Sequence, residues 1–137
     1  MKKSFIYLAM LSICIMFFSL GCEDREPVSP GKNRIAGTWT RERYEHPVTV
    51  LSRQEKLQKD NYGFSLLKTG IFVERKNSGP CATPPINYSD YKGTWHRKND
   101  SLITIIVGYW GGRMKYNLEI ESIAEDTLKI IYHYKNQ

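Results

Sequence analysis

The chain has 137 residues, a formal net charge of +6 and 41% hydrophobic residues, enough for one domain with one core and not for two. Its Lys and Arg residues are scattered and not clustered, which argues against nucleic acid as a partner. Its three cysteines, Cys14, Cys22 and Cys81, have neither the number nor the spacing of a metal site or a disulfide framework.

The chain opens Met1-Lys2-Lys3, continues with 16 uncharged residues from Phe5 to Leu20, and reaches Gly21-Cys22. A positive start, an apolar run and a small-residue boundary are the order of an export signal. The run falls short of the roughly 20 residues that span a bilayer, so cleavage is expected over anchoring by this segment. Leu20-Gly21-Cys22 resembles the end of a bacterial lipoprotein signal, which implies a signal over residues 1–21 and a lipidated Cys22 as the mature N-terminus. Ser19 and Gly21 also fit ordinary signal cleavage, which would release a soluble protein. Residues 22–33 are charged and contain Pro, Gly and Ser with little to bury, which predicts a disordered tether. Its acidic start resembles the short tag that sends some lipoproteins to the outer face of the outer membrane. Loss of residues 1–21 removes Lys2, Lys3 and Cys14 and lowers the net charge to +4. With Cys22 lipidated as well, Cys81 stands alone, and no disulfide is expected inside the mature domain.

From residue 34 the pattern is that of strands. Ile35 to Glu45 reads as a first strand, interrupted at His46-Pro47 because proline cannot donate to a ladder. Ser52-Arg53-Gln54-Glu55 has capping-box spacing and predicts a short helix over residues 53–59. Residues 62–67 and 71–76 form a hairpin about Lys68-Thr69-Gly70. Residues 77–85 contain three prolines and a glycine and form an irregular loop. Residues 88–98 and 102–107 form the clearest hairpin, turning at Asn99-Asp100-Ser101. Met114, Tyr116, Leu118 and Ile120 alternate with polar residues, as do Leu128, Ile130, Tyr132 and Tyr134. Seven strands in hairpin order predict an all-β antiparallel meander closing into a barrel or half-barrel, with one short helix after the first strand. Leu102 to Val107 is apolar on both faces, so its outer side calls for a cover from the helix, a loop or a partner chain.

Gly37-Thr38-Trp39 at the first strand, Tyr91-Lys92-Gly93-Thr94-Trp95 followed by Asp100-Ser101-Leu102 in mid-chain, and a closing Asp126-Thr127-Leu128 resemble the bacterial lipocalin-like domain lipoproteins. The resemblance covers residues 34–137 and implies a lipocalin-like β-barrel. Lipocalins proper pair the opening Gly-x-Trp with an arginine packed on the tryptophan and with a later Thr-Asp-Tyr, which this chain lacks.

No catalytic motif, phosphate loop or metal-ligand spacing is present, and His46, His96 and His133 lie on separate segments. The expectation is a binding protein without a cofactor, and not an enzyme. Trp39, Trp95 and the inward Tyr116 are candidate ligand contacts that would serve equally as core anchors. Tyr109-Trp110 sits between glycines at a strand connection, where a rim aromatic suits stacking on a sugar or an apolar ligand. Cys81 is a candidate reactive thiol if Arg75 and Lys76 approach it, and otherwise an inert buried one. Asp100-Ser101-Leu102 and Asp126-Thr127-Leu128 also resemble a bacterial O-glycosylation pattern, which hairpin turns explain as well. The functional expectation is a lipid-anchored protein of the outer membrane that binds a small apolar or sugar-like molecule. The alternative is a protein-interaction module, an inhibitor or accessory subunit of an envelope complex, with a filled barrel.

Overall fold

Side chains alternate across a strand, so Tyr116, Leu118 and Ile120 face one way, and in an antiparallel pair the residues opposite them face the same way. Those opposites are Tyr134, Tyr132 and Ile130. Repeated around a closed sheet, this pairing builds the interior of the protein. The computed structural model describes residues 34–134, in which the strands are β1 (Gly37–Glu45), β2 (Val48–Gln54), β3 (Gly63–Leu66), β4 (Ile71–Asn77), β5 (Tyr88–Arg97), β6 (Leu102–Tyr109), β7 (Gly112–Ile123) and β8 (Thr127–Tyr134). They form a closed antiparallel barrel in the order β1-β2-β8-β7-β6-β5-β4-β3. The expected signal over residues 1–21 and the tether over 22–33 lie outside the described residues.

Closure takes eight strands where seven were expected. The missing one is β2, and no helix occurs among the described residues. Val48, Thr49 and Val50 are β-branched, and Thr49, Val50 and Leu51 are buried between two partner strands, β1 and β8. A buried place with both edges paired outweighs the capping signal at Ser52, because local propensity is a weak prior against tertiary packing. β3 to β8 follow one another as a meander, and the β1–β2 hairpin completes the ring, β1 beside β3 and β2 beside β8. The connection between β2 and β3 is tied to its neighbours: Asn61 Nδ2 donates to the Arg41 carbonyl at 3.0 Å, and Arg75 Nη1 to the carbonyls of Leu57 and Gln58 at 3.1 Å each. These bonds hold it against β1 and β4. On the outer face of β6, Thr104 is satisfied by the neighbouring strand β7, its hydroxyl donating to Asn117 Oδ1 at 2.9 Å.

One end of the barrel is filled. Ile35, Trp39, Phe64, Leu66 and Phe72 are fully buried there. The Arg53 guanidinium lies 4.2 Å from the centre of the Trp39 ring and donates to the carbonyls of Arg34, Ala36 and Glu125. Gly37 makes room for it. A Cβ there would stand 2.3 Å from Arg53 Nη1, and its φ of +145° is one that side-chain-bearing residues rarely adopt. Gly93 serves close approach in another way, since a Cβ would meet the Ile106 carbonyl oxygen at 2.1 Å.

Leu118 is fully buried, whereas the adjacent Glu119 faces outward and pairs with His133. Leu118→Ala should therefore cost about 2–5 kcal/mol in denaturant unfolding, and Glu119→Ala less than about 0.5 kcal/mol. Equal losses would mean that the faces of β7 are reversed.

Candidate functional site

Followed from the filled end to the other, the inward positions change character. β4 runs Phe72, Glu74, Lys76; β7 runs Leu118, Tyr116, Met114; β8 runs Leu128, Ile130, Tyr132, Tyr134. Trp39 on β1 gives way to Arg41, and Phe64 on β3 to the preceding Tyr62. Aliphatic and phenyl groups pack without partners, whereas phenols and charges need them, so the apolar core stops where these residues begin.

Glu74 is the centre of the polar half. It is 3% exposed, and its Oε1 accepts from the Tyr62 hydroxyl at 2.8 Å and the Tyr116 hydroxyl at 3.0 Å. Its Oε2 accepts from Lys76 Nζ at 2.6 Å. Tyr62 has spent its single proton on Glu74, so at the 2.5 Å contact between the two hydroxyls Tyr132 is the donor. Tyr132 and Tyr134 stack with ring planes 7° apart, and Tyr116 leans on both at centroid distances of 5.8 and 5.4 Å. Burial, reinforced by neighbouring phenols and the charge of Glu74, pushes Tyr62, Tyr116 and Tyr132 well above the ordinary phenol value. Tyr134, at the rim, is raised to about 12.

Above this floor the barrel is open. A cavity of about 650 Å³ is bounded by the tyrosine wall, Met114, Ile131 and Pro47, with Arg41 and His46 also lining it. A smaller one of about 280 Å³ lies beside it between Asn77, Gly79, Tyr109 and Trp110, and the two share Lys76 and Met114 as a wall. Such a site, mainly apolar with a few fixed polar groups, suits a small molecule held by shape and a limited set of hydrogen bonds.

The residues singled out in the sequence divide between the two ends. Trp39 and Trp95 belong to the filled end and border neither cavity: their indole N–H groups donate to the carbonyls of Ile35 and Leu67, each at 2.8 Å. They are anchors. Tyr116 walls the larger cavity, and Tyr109 and Trp110 the smaller, with Trp110 55% exposed. Cys81 is exposed, which corrects the expectation of a buried thiol. Its pKa is lowered by hydrogen bonding to Thr83, whose hydroxyl is 2.8 Å from Sγ. Arg75 and Lys76 are instead engaged with Asp90 and Glu74. Among the described residues no group of His, Cys, Asp and Glu is arranged to hold a metal ion. Asp100-Ser101-Leu102 lies at a hairpin turn, where Asn99 Oδ1 accepts from the backbone N–H groups of Ser101 and Leu102.

Glu74, Arg41, Tyr62, Tyr132 and Tyr134 were not singled out as site residues. The available signal was a carboxylate in phase with Phe72, which places it inside a barrel. The chain matches no family model, no curated protein and no solved structure.

Phenols that hold their protons more tightly folded than unfolded contribute stability that is complete below their ordinary value of about 10 and is lost as the pH climbs from there through their raised folded values. Absorbance titration should show Tyr134 ionising before the other three, and those three ionising only with loss of the β circular dichroism. Ordinary titration of Tyr116 near pH 10 in a folded protein would contradict the network.

Trp110→Ala should change stability by less than about 0.5 kcal/mol, because the ring is more than half exposed. A loss of several kcal/mol would mean that it closes over the barrel.

Proposed function

We propose that this chain is a lipid-anchored lipoprotein of the bacterial outer membrane, with a lipocalin-like barrel that binds a small apolar or sugar-like molecule. The observation that carries the binding reading is the cavity of about 650 Å³, inside the range of about 300–1,000 Å³ that small-molecule sites occupy. The lipocalin-like reading is supported by Gly37-Thr38-Trp39 at the head of β1 and by the arginine on the tryptophan ring, supplied by Arg53 of β2. The anchoring reading is supported by the signal-like residues ending at Gly21-Cys22. A protein-interaction module is the second reading, favoured by the filled half and by exposed Trp110. An open cavity at the other half weighs against it.

The neutral fluorescent probe N-phenyl-1-naphthylamine should bind one to one and be displaced by the natural ligand class. Met114→Trp, which fills the wall between the two cavities, should abolish binding with the fold retained. If the probe does not bind, or if Met114→Trp binds it unchanged, the interaction module becomes the better reading. Separately, Cys22→Ala should move the protein from the membrane fraction to the soluble fraction, since lipid chains contribute about 0.8 kcal/mol per buried methylene. Unchanged membrane retention would refute lipidation at this residue.

A further inference from the structure

We propose that the ligand is an amphipathic anion, bound with its apolar part inward on the tyrosine rings and its anionic group outward on Arg41. This rests on reading the cavity as a ligand site and adds the charge and direction of what enters it.

The direction follows from counting protons on the floor. Tyr62 and Tyr116 donate to Glu74, and Tyr132 donates to Tyr62. Each phenol has one proton, so none of the three can donate to a ligand without breaking this chain. What they offer the cavity is ring surface and oxygen lone pairs. An anion at that depth would meet acceptor oxygens and the negative Glu74 itself. Lys76 does not relieve this, because its ammonium is 2.6 Å from Glu74 Oε2 and 3.5 Å from Met114 Sδ, and it lies over the Tyr91 ring at 5.5 Å. It is committed to its own carboxylate. The inner end of the ligand is therefore not anionic, and the faces of the tyrosine rings suit an apolar one.

The charge follows from the rim. Arg41 and Lys76 face one carboxylate, Glu74, across the cavity, which leaves one positive charge in excess. Arg41 is the cation without a carboxylate: among the described residues none lies within ion-pair distance of it. Its guanidinium sits 5.4 Å from the Tyr62 ring centre. Stacking on a ring engages the face of a guanidinium and leaves the N–H groups on its edge free for a carboxylate, sulfate or phosphate. His46, also on the wall, has Nδ1 engaged with the Tyr44 hydroxyl at 2.9 Å and adds no negative charge. A cationic amphiphile would place its head beside Arg41, and a neutral one would leave Arg41 unmatched.

The test uses the mature chain and three probes with the same ten-carbon tail, decanoate, decyl glucoside and decyltrimethylammonium, each below its micelle concentration and followed by calorimetry. Decanoate should bind at least tenfold more tightly than the other two. Arg41→Gln should weaken decanoate at least tenfold and leave decyl glucoside within twofold, Arg41→Lys should fall between, and Lys98→Gln at the filled end should change nothing. Circular dichroism checks that each variant is folded. Equal affinities for the three probes, tighter binding of the cation, or indifference of decanoate to Arg41→Gln overturns the proposal. If decyl glucoside binds and decanoate does not, the anion is refuted while the ligand site stands. If none of the three binds, both readings fail.

Discussion

The guanidinium of Arg53 laid on the indole of Trp39 is the contact on which the rest of the barrel depends. An eight-strand barrel has an interior that side chains can fill or that can be left for one small ligand. Here Trp39 and Arg53, directly opposite each other on β1 and β2, assign the filled state to one end. Burying an aromatic side chain contributes about 1.5–3 kcal/mol, and a partly buried cation over a ring adds about 0.5–2 kcal/mol. Arg53 also reaches the Glu125 carbonyl in the turn between β7 and β8, so one side chain joins the first hairpin to the last. That is where the ring closes, and closing it removes the exposed sheet edges that would invite other chains.

The open end meets the opposite difficulty, which is to keep charge inside a barrel without collapse or unfolding. An isolated buried carboxylate is costly enough that it would ordinarily take up a proton. Glu74 has three donors, and the paired Lys76 supplies the countercharge. A well-packed apolar replacement for such a cluster is often as stable as the cluster itself, so stability alone is a weak reason for its presence. The cluster does fix four phenol rings into a wall of definite shape, with Tyr132 and Tyr134 parallel. A wall that does not rearrange on binding spares the ligand the ordering cost that weakens adaptable sites.

The fold was largely legible in the sequence and the site much less so. Strict alternation in β7 and β8 placed Leu118 and Ile130 in the core, because a single residue of slip would have turned every apolar group to water. β2 was misread, since a four-residue capping pattern at Ser52 is a local signal and the burial of Thr49, Val50 and Leu51 depends on strands nearly eighty residues away. Sequence reasoning reached Tyr116, Tyr109 and Trp110 by their size and position. It passed over Glu74 because an acidic residue in a strand ordinarily faces water, although the spacing from Phe72 already puts both side chains on one face of β4. The tryptophans drew attention as ligand contacts for the property that makes them good plugs.

Separation of the two ends has a consequence for how such a protein can change. Substitutions around Trp39, Phe64 and Phe72 act on stability, because these side chains are fully buried and line neither cavity. Those at Arg41, Met114 and Trp110 act on the shape and charge of the cavities, because these groups line them. The irregular loop over residues 78–87 and the turn after β6 border only the open end. Met114, unbranched and shared by both cavities, is the side chain best able to enlarge one at the expense of the other. The cavity can therefore be reshaped by small steps at the rim while Arg53 and Trp39 keep the ring closed.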